Sequence, residues 1–163
     1  MNDIVKLTDV KNVAVELKKF VVDQGLYTNI QGKNFVHVEG WQFAGASMGM
    51  RAVVESVDNL DPLKEAGEIK YSATVKIYKG DQVVGAGVGF CSNKEKSKKY
   101  FDEYAIIAMA QTRAISRAYR NSVGWIMKLA GYESTPFEEA SAVGADEDTK
   151  QSIVELHKND KAS

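Results

Sequence analysis

Residues 82–91 read QVVGAGVGFC, a β-prone run in which Gly85, Gly87 and Gly89 fall at every second position. Successive side chains of a strand point to opposite faces, so these three glycines leave one face of the strand bare. A bare face of this kind marks a place where other backbone comes very close. A long helical pattern over 101–122 follows after a short loop, and the glycine face is a natural seat for it. Few folds accept a helix laid directly on the backbone of a strand, and the rest of the chain is read around that pairing.

The strand has partners on its N-terminal side. EIKYSATVKIYK (68–79) alternates strictly, with Ile69, Tyr71, Ala73, Val75 and Ile77 on one face, as in a half-buried antiparallel strand. Lys79-Gly80-Asp81 supplies a hairpin turn into 82–91, and DPLKEAG (61–67) a longer connection back to a valine-rich strand over 50–59. Residues 39–49, rich in small and aromatic side chains, read as a short helix ending at Gly49, preceded by a strand over 34–38. Residues 9–24 place Val10, Val13, Ala14, Leu17, Phe20 and Val21 at helical spacing, with Asp9 as N-cap and Gly25 as stop. The expected fold is therefore α+β: an antiparallel β-β-β meander packed against a long helix, with an N-terminal amphipathic helix and a short helix before the meander. The long helix is expected to pause at Gly124 and resume to Gly131, and to turn Tyr104, Ile107, Ala108, Ile115, Ala118 and Tyr119 toward the sheet.

Composition narrows the chemistry. The chain has 163 residues, 44 % of them apolar, enough for one packed domain. It contains one cysteine, Cys91, so no intramolecular disulfide forms, and a reducing, intracellular setting is expected. No apolar run reaches the length of a membrane span, and the first residues lack a secretory signal pattern. His37 and His157 are the only histidines, and neither the HExxH nor the phosphate-loop pattern occurs. The glycines of 85–89 alternate at strand period rather than opening a helix, which argues against nucleotide binding. His37 is read as a satisfied strand histidine, and Glu55, Asp58 and Asp61 as ordinary surface carboxylates rather than a Mg²⁺ site. The expectation is a protein that is not an enzyme and uses no cofactor or metal.

Net charge is −1, but it is unevenly placed. Residues 1–136 carry 18 Lys and Arg against 15 Asp and Glu, whereas 137–163 carry 3 against 7. The chain is thus read as a body, 1–136, and an acidic, flexible tail, 137–163. Within the body the long helix has no acid from Ala105 to Lys128. At about 100° per residue, Arg113, Arg117 and Arg120 fall within roughly 60° of one another, a stripe two turns long. Exposed helices usually intersperse acids at i+4, so this stripe calls for an anion from elsewhere, either a phosphate or the carboxylates of a neighbouring subunit. Just before the helix, Lys94, Lys96, Lys98 and Lys99 extend one positive track, with Phe90, Tyr100 and Phe101 close by for base stacking.

The order of these pieces resembles the single-strand annealing protein superfamily. Its layout is most similar to the Rad-fifty-two-type annealing domain and to phage recombinases of the Erf and Sak type. The matching residues are Val38-Glu39-Gly40, Met48-Gly49, Gly85 to Gly89, Lys96-Ser97-Lys98, and Ser116-Arg117-Ala118-Tyr119-Arg120 with Gly124, over roughly 34–125. Ser116 stands where that family has a lysine and Gln42 where it has an arginine; Arg113, one turn earlier, is the candidate to compensate. The resemblance implies a homo-oligomeric ring or filament that holds single-stranded DNA by its phosphates and presents bases to a complementary strand, without catalysis or nucleotide hydrolysis. It implies phosphate-binding roles for Arg117 and Arg120, and the compact core suggests a phage or mobile-element origin in the host cytoplasm. Open sheet edges are expected to join subunits, with no membrane contact. The acidic tail is expected to recruit a single-strand-binding protein or exonuclease, or to mimic DNA in an empty groove. The competing expectation is a homo-oligomeric structural or inhibitory protein whose arginine stripe contacts another subunit. A metal-dependent nuclease is the third, distinguished by cleavage with Mg²⁺.

Overall fold

The computed structural model describes residues 7–60 and 66–140. In chain order these form α1 (Leu7–Gln24), β1 (Tyr27–Ile30), β2 (Lys33–Val36), α2 (Val38–Ser47), β3 (Met50–Asn59), β4 (Lys70–Lys79), β5 (Gln82–Ser92) and α3 (Glu103–Leu129), with a single 3-10 turn at Lys96–Lys98. The fold is α+β, and the β3-β4-β5 meander packs against α3 as the alternation and the glycines predict.

The seat of α3 is built from matched repeats. Gly89 lies under Ala110 and Ala114, Gly87 under Ala114 and Ala118, and Gly85 under Ala118 and Ser122. Four helix residues rise about 6.0 Å and two strand residues about 6.6 Å, so an i, i+4 row of small residues stays in step with alternate strand positions. A methyl group at Gly87 would lie 2.8 Å from the Ala114 carbonyl oxygen and 2.9 Å from the Ala118 Cα, closer than atoms pack. This close approach also decides which face of α3 is buried. Ile106, Ala110, Ala114, Ser116, Ala118 and Tyr119 are buried, whereas Ile107 and Ile115 are only partly covered and Ala108 and Tyr104 are exposed. The expected sheet-facing set is corrected accordingly: the row that meets the glycines must be small, and the larger side chains are displaced to its flanks.

Strand β4 buries Tyr71, Ala73, Val75 and Ile77 toward α3. Tyr71 also donates its hydroxyl proton to Glu103 at the first turn of the helix. Helix α1 buries Val10, Ala14, Leu17 and Val21 against the same core, and Phe20 stacks on Phe43 of α2 with ring centroids 4.0 Å apart. In α3 the break falls at Val123 (φ −131°, ψ 16°), one residue before Gly124, and the helix continues to Leu129.

The N-terminal half departs from expectation in one place. β1 and β2 form an antiparallel hairpin around Gln31 and Gly32, both at positive φ. The predicted strand over 34–38 is thus the second arm of a hairpin and ends at Val36. His37 caps α2, and its Nε2 lies 2.7 Å from the Thr28 hydroxyl. The connection over 61–65 and the rest of the acidic tail, from 141 onward, lie outside the described residues. No helix among the described residues is long and apolar enough to cross a membrane.

Candidate nucleic-acid interface

The row next to the small-residue row of α3 is Arg113, Arg117, Asn121, and it overhangs the outer edge of β5. Arg113 Nη1 donates to the Phe90 carbonyl at 2.7 Å, Arg117 Nη1 to that of Val88 at 3.1 Å, and Asn121 Nδ2 to that of Ala86 at 2.8 Å. Three successive outward carbonyls of the edge strand are therefore occupied by three successive turns of helix. This follows from the same 6.0 Å to 6.6 Å match that seats the helix. One edge of the sheet, expected to be open, is covered by side chains.

The arginines of the helix also meet carboxylates from distant parts of the chain. Glu95, within the lysine loop, receives Arg113 Nη2 at 2.7 Å and Nη1 at 2.9 Å, and also the Ser92 amide at 2.9 Å. Burial opposes ionisation of Glu95, but the bonds from Arg113 and from the Ser92 amide outweigh it and hold the carboxyl below its ordinary range. The Arg113 side chain is only 11 % exposed. Its expected role as a free phosphate ligand is corrected on that ground: the guanidinium is enclosed and committed to Glu95 and to the strand edge.

Arg117 and Arg120 are placed differently. Their side chains are 45 % and 44 % exposed, and both grip one carboxylate, Glu139. Arg117 Nε donates to Glu139 Oε1 at 2.6 Å and Arg120 Nη1 to Oε2 at 2.7 Å. Glu139 itself is 9 % exposed. Beside it, Glu138 accepts the Val38 amide at the start of α2 at 2.8 Å and the Ser116 hydroxyl at 3.1 Å. Burial pushes the Glu138 carboxyl above its ordinary range, against the pull of those hydrogen bonds. Phe137 sets its ring 4.5 Å from that of His37. The division at Pro136 thus falls within ordered structure: 137–140 are helical and lie on the body.

Lys94, Lys96 and Lys99 are exposed and Lys98 is partly covered, with its Nζ 4.7 Å from the centre of the Phe101 ring. Lys99 lies 5.9 Å from the Tyr100 ring centre. Tyr100 is 89 % exposed and Tyr104 74 %. Among the described residues none of the four lysines forms an ion pair. The Glu95–Arg113 clasp ties this loop to α3 one turn before Arg117, so the loop and the arginine pair follow one another along the same side of the helix.

Four participants escape a reading of the sequence: Glu95, Glu138, Glu139 and Asn121. Asn121 continues the i+4 row of Arg113 and Arg117, a usable signal. Pro136 followed by two glutamates is the signature of a helix start, which marks 137–140 as ordered. Glu95 sits in a lysine run, and nothing local distinguishes it. No protein-family model matches the chain, and no curated protein matches it in sequence.

Proposed function

We propose that this chain binds single-stranded DNA and anneals complementary strands as a homo-oligomer, without catalysis or a cofactor. The observation that carries the reading is the segment 94–104. Four lysines without carboxylate partners among the described residues lead into two tyrosines that project into solvent, at the head of the helix that bears Arg117 and Arg120. Cations that follow a phosphate backbone, interleaved with aromatic rings on which bases stack, are the chemistry of sequence-tolerant single-strand binding. The order of motifs shared with single-strand annealing proteins supports the same reading, and a cytoplasmic setting goes with it.

The competing reading is a structural or inhibitory oligomer in which the arginines meet acids of another subunit; Glu139 of the same chain holds both arginines, so an acid of another subunit, like a phosphate, would have to displace it. The test is fluorescence anisotropy with a labelled thymidine oligonucleotide at two salt concentrations. Replacing Lys94, Lys96, Lys98 and Lys99 together by alanine is expected to weaken binding and to flatten the salt dependence by about 0.7 in slope for each phosphate no longer neutralised. Unchanged affinity and slope in that variant would remove the lysine loop from the site, and no binding by the unaltered protein would remove the proposal. Incubation with Mg²⁺ is expected to leave the oligonucleotide intact.

A further inference from the structure

The two glutamates at 138 and 139 do something unusual for the start of an acidic segment. They enter the folded body side by side and fill four hydrogen-bond donors with anionic oxygen: Arg117, Arg120, the Ser116 hydroxyl and the Val38 amide. The donors come from two elements, the middle of α3 and the first turn of α2, where the helix dipole also favours an anion. Every one of them would serve a phosphate oxygen equally well.

The two carboxylates are not held alike. Glu138 accepts from the Val38 amide and the Ser116 hydroxyl. Glu139 is gripped by two cations whose own side chains are nearly half open to solvent. Solvent therefore reaches the arginines while Glu139 is still in place, so an incoming anion can engage their free nitrogens before the carboxylate leaves. Arg113, only 11 % exposed on the same helix face, offers no such entry.

We propose that Arg117, Arg120, Ser116 and the Val38 amide form an exchangeable oxyanion cradle. Its resting occupant is the chain's own Glu138–Glu139 pair, and its exchanged occupant is a phosphodiester of single-stranded DNA. The proposal rests on the DNA-binding function above and adds its regulation: segment 137–140 is a latch that the ligand must displace. Apparent affinity falls by the fraction of molecules unlatched, so a latch closed nine times in ten weakens binding about tenfold. DNA and latch compete for the same two guanidinium groups.

Two measurements on the full chain test this. In the first, Glu139→Gln, which keeps shape and removes charge, is titrated with the labelled thymidine oligonucleotide beside the unaltered protein. Binding about three- to tenfold tighter is expected. Equal affinity, with the unaltered protein binding DNA, overturns the latch and leaves the proposed function standing. If neither protein binds, both fall. The second uses no variant. Amide hydrogen exchange over 137–140 is followed in the unaltered protein with and without saturating oligonucleotide. Faster exchange there, with slower exchange over the lysine loop, is expected as the latch leaves and the loop is covered. Protection of 137–140 that stays constant or rises on binding overturns the proposal, whatever the variant does.

Discussion

Arg113 and the pair Arg117–Arg120 lie on one face of one helix, within two turns, and each finds a glutamate. Arg113 is enclosed, held by two bonds from one carboxylate and a third from a strand carbonyl. Arg117 and Arg120 share a single carboxylate between them and remain nearly half exposed. The difference comes from where the acids enter. Glu95 belongs to a turn fixed at both ends, between β5 and α3, and its carboxylate is also anchored to the Ser92 amide. Glu139 arrives from beyond the end of α3, on a segment that folds back over the surface. Identical residue chemistry thus yields a structural tie at one end of the stripe and an accessible pair of cations at the other.

The comparison breaks most completely if the common seat is removed. Gly87→Ala pushes a methyl group into the backbone of α3 and lifts both arginine sites off β5; a loss of about 3 kcal/mol is expected, the upper end for overpacking, measured by urea denaturation. Arg113→Ala leaves Glu95 partly buried without its cation, and should cost about 2–3 kcal/mol by the same measurement, less than for a fully buried pair because Glu95 is about one-third exposed. Arg117→Ala combined with Arg120→Ala should weaken oligonucleotide binding at least tenfold and cost only about 1 kcal/mol of stability, because Glu139, though 9 % exposed, sits on the segment proposed as a latch and can lift into water once its cations are gone. A stability loss as large as that of Arg113→Ala would show that the two ends of the stripe do not differ in kind.

Acid titration sharpens the contrast further. The folded protein holds Glu95 below its ordinary range, so its contribution to stability is full above the unfolded value near 4.5 and is lost as pH falls through the lower, folded value. Glu138 is raised instead, so its folded form takes up a proton more readily than the unfolded chain and works in the opposite sense across the pH range above 4.5. Glu95→Gln should flatten the loss of stability below pH 4.5. Glu138→Gln should leave that limb in place and reduce the pH dependence above it.

What could be seen in the sequence was what repeats. Alternation in 68–79 and the glycines at 85, 87 and 89 fix the meander and the seat of α3 because both depend on periodicity along one element. The hairpin of β1 and β2 was hidden by His37 and Val38, whose β-prone side chains extend the apparent strand while their backbone begins α2. Its turn, Gln31-Gly32 between two short polar-apolar arms, was the one local clue. The arginines were visible as a stripe; their partners were not. Glu95 and Glu139 lie 18 and 22 residues from the arginines they first meet, and no local period connects them. The stretch without acids from Ala105 to Lys128 called for an external anion or the carboxylates of a neighbouring subunit, and the carboxylates that meet the stripe lie instead within the chain.

The covering of β5 by Arg113, Arg117 and Asn121 also limits symmetry. A sheet continues from one copy to the next in a ring or filament only if each copy offers two different edges, one to give and one to receive. Here one of the two carries a row of side-chain donors on its carbonyls. Within this three-stranded sheet, edge-to-edge pairing is left to β3, and an edge that meets only itself makes a closed two-fold pair, not an open-ended series. A ring or filament of this chain, as proposed above, would therefore be built from surfaces other than a continuation of the β3-β4-β5 sheet.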